Sequence, residues 1–230
     1  MINTENRDLE WLRERTEYLA EFMTPERCET LLRAIAERTR YMTILSENTY
    51  DSQNSSALVR HCEAFGVQSL HAVEMDCHFK VHVDIARGSE KWIELNRYAT
   101  TSEAVARLKG EGYRIVATTP HREDTTPEDF DVEAGKFALV FGAEHTGISD
   151  EVIAEADEFL KIPMCGMVES LNVSASAAIL IYMLSQRMRL NLAGDIWHLS
   201  EQEQLELLYR WMKQSVRESE GLLKRKFSDY

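Results

Sequence analysis

The chain reads as an α/β protein: a mostly parallel β-sheet covered on both faces by helices, with helical segments before and after it. Two observations predict this. Between about residues 41 and 190, short apolar stretches alternate with segments whose apolar residues recur at helical spacing, the pattern of repeated strand-helix units. The apolar stretches, such as residues 137–141, are nearly continuous rather than alternating, as expected of strands buried on both faces. No internal repeat or low-complexity linker interrupts the series.

In chain order, Leu9, Leu12, Leu19, Phe22 and Met23, with Trp11 and Tyr18, recur at helical spacing and mark an amphipathic helix over about residues 6–23. Thr24 and Pro25 supply an N-cap and a first-turn proline for a second helix, which carries Cys28, Leu31, Leu32 and Ile35 and ends near Arg38. These two are expected to pack as a hairpin. Residues 42–45 form a first core strand, and the polar loop 46–53 leads to a helix on which Leu58, Cys62 and Phe65 share a face. Gly66 suits the position that ends this helix, and residues 67–73 return as a strand. A short helical turn over 85–90 and a strand over 92–95 come next. Thr101 and Ser102 are placed to cap a helix ending at Lys109 and Gly110, before a strand over 113–118. Then follow the strand 137–141, the loop 142–147, a helix over about 149–156, a strand over 159–162 and a long helix to about Met188. Ser200 and Glu203 form a capping box that opens a closing helix, with Leu205, Leu208, Trp211, Met212 and Val216 along one face. That face is expected to dock on the first helix.

Composition narrows the class. At 230 residues and 44% hydrophobic, the chain can bury a sizeable core. No apolar run approaches the roughly 20 residues that span a bilayer, and the opening residues are polar rather than signal-like, so a cytoplasmic protein without a membrane partner is expected. Cys28, Cys62, Cys77 and Cys165 show no CxxC pairing, which points to reduced thiols. His61-Cys62 and Cys77-His78 fit no usual zinc spacing, so no metal is expected. Dinucleotide, nucleotide, protease and esterase signatures (GxGxxG, GxxxxGK[ST], HExxH, GxSxG) are absent from the sequence.

The formal charge of −13, taken as an average, argues against a nucleic-acid partner. Its distribution is uneven. Acids crowd residues 123–133, including Glu123 and Asp124, and residues 151–158. Arg27, Arg33, Arg38, Arg40 and Arg60 lie early, and Arg187, Arg189, Lys213, Arg217, Lys224, Arg225 and Lys226 lie late. A local basic face and ordinary solvated ion pairs both fit this pattern.

Residues 161–180, KIPMCGMVESLNVSASAAIL, depart from the regular series. Gly166, Ser170 and Asn172 sit between a strand end and an Ala/Ile/Leu-rich helix, where exposed backbone groups bind ligands at the carboxyl end of a sheet. Chain turning by Pro163 and Gly166, with Ser170, Asn172 or Ser174 as a helix cap, accounts for the same residues.

Three stretches, taken together, resemble the signature motifs of the SpoU-TrmH branch of the SPOUT RNA methyltransferases, and they occur in the family's order. They are residues 54–60 (NSSALVR) followed by Phe65, Gly66 and Val67; residues 139–148 (LVFGAEHTGI); and residues 162–182 (IPMCGMVESLNVSASAAILIY). Gly88, Ser89 and Trp92 resemble a further family feature, so the likeness covers roughly residues 41–190. It implies a deep C-terminal trefoil knot, which ordinary topology rules would not predict. It also implies an N-terminal helical extension (1–40), a SPOUT methyltransferase domain (41–192) and a C-terminal helical extension (193–230).

The resemblance implies S-adenosylmethionine as methyl donor, with Thr118, Gly142, Ile162, Met164, Gly166 and Leu171 at positions that line its pocket. Each of these also has a plainer role in strand-end packing or turn geometry. Arg60 matches the family's essential arginine, Asn54 a residue that organises the site, and Glu144, Ser170 and Asn172 match further functional positions. Because a guanidinium is a poor base, the preferred role for Arg60 is orienting the ribose-phosphate and stabilising developing oxyanion charge, with activation of the ribose hydroxyl as a general base, helped by a substrate phosphate, as the alternative. Glu144 is expected to orient an arginine or a backbone group. His145 departs from the lysine or arginine common in relatives and lowers local positive charge unless protonated.

The implied reaction is 2′-O-methylation of RNA ribose, with the D-loop guanosine at position 18 of tRNA as target, since the flanking helices resemble those of the TrmH group. The alternatives are another tRNA or rRNA nucleotide, or a module that binds RNA or S-adenosylmethionine without catalysis. A homodimer is also implied. Ala175, Ala177, Ala178, Ile179, Ile181, Tyr182, Leu184 and Met188 make the long helix apolar around much of its circumference. One face packs on the sheet, and a second copy or the terminal helices of the same chain cover the rest.

Overall fold

A computed structural model describes residues 8–122 and 125–227. The first residues assigned to the opening helix, and Glu123 and Asp124 of the acidic cluster, lie outside the described residues. The chain divides into two compact units, one formed by the segments up to Arg38 and from His198 onward, the other by Thr39–Trp197. In chain order the elements are α1 (Leu9–Ala20), α2 (Pro25–Ala36), β1 (Met42–Glu47), α3 (Ser52–Ala64), β2 (Ser69–Val73), α4 (Val83–Ala86), a 3₁₀ turn (Ser89–Lys91), β3 (Glu94–Tyr98), α5 (Thr101–Gly110), β4 (Arg114–Thr118), β5 (Phe137–Phe141), α6 (Asp150–Glu155), β6 (Glu158–Leu160), α7 (Val173–Asn191), α8 (Glu201–Ser215) and α9 (Ser219–Lys226).

The larger unit is built on a six-stranded sheet in the order β3-β2-β1-β5-β4-β6. Every pairing in it is parallel. Every residue of β5 is buried, as its continuous apolar run requires of a central strand. Alternate residues face opposite sides. Ile44, Leu139 and Phe141 join Leu58, Val59 and Cys62 of α3 and Ala177, Leu180 and Leu184 of α7 in one core. Leu45, Ala138 and Val140 join Ala104, Val105 and Leu108 of α5 and Val152 of α6 in the other.

This layering positions the site. β1 and β5 are neighbours, with Ser46 opposite Phe141, yet the helices that follow them, α3 and α6, pack on opposite faces. Two loops that diverge from adjacent strands leave a crevice at the carboxyl ends of those strands. Glu47, the last residue of β1, is buried there. Its carboxylate accepts from Thr101 Oγ1 at 2.5 Å, Ser149 Oγ at 2.7 Å and Ser149 N at 2.9 Å. A buried acid is tolerated where several donors satisfy it, and here it ties the starts of α5 and α6 to the strand end.

Several boundaries differ from the sequence reading for local reasons. Thr100, not Thr101 or Ser102, caps α5, accepting from Glu103 N at 3.2 Å, because the Thr101 hydroxyl is committed to Glu47. α1 stops at Ala20, and Phe22 and Met23 belong to the turn that brings Thr24 into position to cap α2. β3 begins two residues later than expected, after the 3₁₀ turn. α9 was not anticipated, since its short polar run after Val216 carries little periodicity.

In the smaller unit, α1 and α2 each pack on α8 instead of forming the expected hairpin with one another. The closing helix does dock on the first, as its capping box and apolar face suggested. Arg15 is buried there, its guanidinium between the rings of Trp11 and Phe227 at 4.0 and 4.2 Å. The rings attract the cation and the stem packs as apolar surface.

His71 on β2 gives this fold a pH dependence. Its Nδ1 lies 2.8 Å from the Tyr98 hydroxyl, and burial pushes its pKa from 6.5 down to about 4. The folded state therefore holds the imidazole neutral. That contribution is fully present above pH 6.5 and is lost as pH falls through 6.5 toward 4, on the order of 3 kcal/mol in all. Urea unfolding at pH 7 and pH 4.5 should show a larger loss of stability for the wild type than for His71→Gln; equal losses would remove His71 as the cause.

Candidate functional site

A chain of hydrogen bonds crosses the crevice. Asn54, in the first turn of α3, is buried and donates through Nδ2 to Glu144 Oε1 at 2.7 Å. Glu144, in the loop after β5, also accepts from the backbone N–H groups of Tyr50 at 3.2 Å and Asp51 at 3.3 Å. Asn54 Oδ1 accepts from Asn172 Nδ2 at 3.1 Å. Asn172 in turn caps α7, its Oδ1 accepting from Ser174 N at 2.9 Å and Ala175 N at 3.3 Å.

The order of donors is dictated chemically. An ionised carboxylate only accepts, so the Asn54 amide nitrogen faces Glu144 and its oxygen faces Asn172. Among the described residues, Glu144 thus orients backbone at the start of α3 and the Asn54 amide. Three loops, following β1, β5 and β6, are held by one chain of side chains.

Beside this chain lies a cavity of about 700 Å³, within the range of small-molecule sites. The loops after β4, β5 and β6 line it, together with Ser176 and Leu180 of α7. Of the residues singled out in the sequence, Thr118, Gly142, Glu144, Ile162, Met164, Ser170, Leu171 and Asn172 line it. Gly166, Asn54 and Arg60 do not. Asn54 reaches the cavity only through Glu144 and Asn172. Arg60 is exposed on α3 and donates to the Ile85 carbonyl at 3.4 Å.

Local chemistry explains the loop shapes. Ala143 N donates to Gly147 O at 3.0 Å and Gly147 N to Ala143 O at 2.9 Å, closing a tight loop. A Cβ on Gly142 would lie 2.1 Å from the Gly147 carbonyl carbon, so only glycine fits. A Cβ on Gly166 would meet nothing within 4 Å. The Thr118 hydroxyl donates to Val140 O at 2.7 Å and so serves the sheet. His61, beside Arg60, is pushed down in pKa by burial, opposed by a bond with the Ser174 backbone and reinforced by the Arg60 charge.

The sequence reading missed residues 119–122, TPHR, which line the cavity. The available signal was their position: a polar run directly after a strand carboxyl end, as in the other two loops. Many of the basic residues noted earlier build the fold. Arg38 is buried over Trp211, Arg40 pairs with Glu94 at 2.6 Å, Arg187 donates to Pro127 O at 2.6 Å and Arg189 to Phe65 O at 3.1 Å. Lys224, Arg225 and Lys226 in the last turn of α9 are exposed.

The two glycines make opposite predictions. Gly142→Ala should lower the unfolding free energy by about 1–3 kcal/mol through overpacking, while Gly166→Ala should change it by less than about 0.5 kcal/mol. Urea titrations of both variants measure this, and a neutral Gly142→Ala would refute the close approach.

Known proteins carry the same arrangement of sequence. Residues 41–182 match the SpoU rRNA Methylase family. Among similar proteins, the tRNA (guanosine(18)-2′-O)-methyltransferase of Borreliella burgdorferi is 36% identical over 191 residues, covering 83% of this chain and 87% of its own. The enzyme of that name from Thermus thermophilus is 41% identical over 171 residues, covering 72% and 86%. The crystal structure of the Aquifex aeolicus TrmH/SpoU tRNA modifying enzyme superposes with a TM-score of 0.73 at 28% identity, over 84% of this chain and 98% of that one. With all three motif stretches converging on one crevice, and with relatives alike over most of their length, the chain belongs to the SpoU rRNA methylase family.

Proposed function

We propose that this protein is an S-adenosylmethionine-dependent tRNA ribose 2′-O-methyltransferase that modifies the guanosine at position 18. The observation that carries the reading is the cavity flanked by the chain Glu144–Asn54–Asn172, which couples a small-molecule pocket to the exposed α3 surface. Relatives 35–41% identical that bear this activity in their names support the substrate.

The residues present fit the donor. The cavity combines an apolar wall of Leu160, Ile162, Leu171 and Leu180 with loops rich in backbone groups, and Gly142 lets main chain approach closely. Thr118, Gly142, Ile162, Met164 and Leu171 would hold it, with Gly166 shaping the loop. When bound, S-adenosylmethionine supplies a methyl group on a sulfonium centre, a strong leaving group. A ribose hydroxyl is a weak nucleophile, so the protein's part is positioning and charge. Arg60 orients the ribose-phosphate and stabilises developing negative charge. Asn54 fixes the start of the helix that carries Arg60; Glu144 and Asn172 fix Asn54, and Ser170 lines the cavity wall beside them.

Residues 41–192 form the methyltransferase domain in this reading, and the helical segments 1–40 and 193–230 are extensions that assist RNA docking. The exposed Lys224, Arg225 and Lys226 support that role. The trefoil knot is part of the proposal, supported by the return of the chain from the sheet-edge strand β6, past the cavity, to α7 on the α3 face. The active form is a homodimer. Exposed Ile179 and Tyr182 on α7 and exposed Met167 and Val168 in the loop before it support this. Among the described residues no helix is long and apolar enough to cross a membrane, and a cytoplasmic location accompanies a tRNA substrate.

Incubation with unmodified bulk tRNA and labelled donor, followed by mapping of ribose methylation, should place the methyl group on guanosine 18; methylation elsewhere or none would refute the assignment. Arg60→Ala should keep the fold and donor binding yet lose most of the transfer rate, and a rate near wild type would remove the role given to Arg60. Light scattering should report a dimer that Tyr182→Glu weakens, whereas a monomeric, active wild type would refute the dimer.

A further inference from the structure

Among the described residues lining the cavity, Arg122 is the one arginine or lysine. It lies in the loop after β4, with its guanidinium over the ring of Phe159 on β6, Cζ 4.6 Å from the centroid. Stacking occupies the face of a guanidinium and leaves its edge N–H groups directed outward. Among the described residues no carboxylate or carbonyl accepts from it. Two other arginines of this unit are committed to the fold: Arg114, at the amino end of β4, pairs with Glu158 and donates to the carbonyls of Asp131 and Gly135, and Arg187 donates to Pro127 O. Arg122 is thus held by an aromatic ring at the cavity wall, its hydrogen-bonding edge without an acceptor among the described residues.

A planar, permanently charged fork of this kind suits a carboxylate, which it can bind through two parallel hydrogen bonds. We propose that Arg122 anchors the α-carboxylate of the donor's amino-acid tail, so that the cavity selects adenosyl sulfonium ligands that carry this group. The inference rests on the reading that the cavity holds S-adenosylmethionine. It assigns specificity to a residue outside the three motif stretches.

Two ligands isolate the group: S-adenosylmethionine and its decarboxylated form, which lacks only the carboxylate. Calorimetric titration of the wild type should show a preference of roughly tenfold or more for the first. In Arg122→Ala that preference should fall to within about twofold, with affinity for the decarboxylated ligand little changed, and Arg122→Lys should retain part of it as a point charge without the fork. An unchanged preference in Arg122→Ala would overturn the inference. So would an equal loss of affinity for both ligands, which would mark Arg122 as a support for the loop. Failure of the wild type to bind either ligand would overturn the cavity reading, and this inference with it.

Discussion

The hydrogen-bond chain from Glu144 through Asn54 to Asn172 is the constraint on which the site depends. Adjacent strands β1 and β5 send their helices to opposite faces, so the sheet itself opens a gap where the loops part. Backbone pairing between β1 and β5 ends at Ser46 and Phe141 and does not join the loops that follow these two strands. Side chains do so instead. A carboxylate with three donors is well satisfied, and removing Asn54 would strip one donor from half-buried Glu144 and the acceptor from the Asn172 amide; Asn172 is exposed, so water takes up its amide and the loss falls mainly on how the loops are held. On the opposite face Glu47 does the same for α5 and α6. Just beyond it, Asn48 adopts a left-handed conformation (φ 51°) and accepts from the N–H groups of Met75 and Asp76, both at 3.1 Å. The carboxyl end of β1 is therefore the fixed point from which four loops are hung.

In the proposed function, that geometry separates the donor pocket from the acceptor side. The cavity lies among the loops after β4, β5 and β6, and Arg60 stands outside it on α3. Asn54 and Arg60 are six residues apart on one helix, about 9 Å along its axis. Fixing the Asn54 end thus fixes the direction in which the Arg60 end can present its charge. Asn54 acts through others, and its burial beneath the crevice suits a positioning role better than contact with substrate.

Much of this was legible in the sequence because it is local. Continuous apolar runs located β1, β4 and β5, Ser200 and Glu203 announced the capping box, and Thr24-Pro25 marked the start of α2. Asn172 was one of several possible caps, and only the fold selects it, since its amide must also reach Asn54. What the sequence could not supply was partnership across distance. Whether Thr101 caps a helix or bonds a buried acid depends on Glu47, 54 positions away. The hairpin expected of α1 and α2 failed because α8, from the far end of the chain, is the better apolar partner for both. Residues 119–122 carry no periodicity and no motif; their one sequence signal is a polar run directly after a strand, and the folding of β4 beside β5 makes that position cavity wall.

The central claim is that Asn54 and Asn172 act as one unit in holding acceptor helix and donor loops together. A double-mutant cycle on methyl transfer into unmodified tRNA, with Asn54→Ala, Asn172→Ala and the pair, tests it most directly. Strong non-additivity, the double variant being hardly slower than the worse single one, is the predicted result. Independent, additive losses in kcat/KM, with folding intact in all three variants, would contradict it.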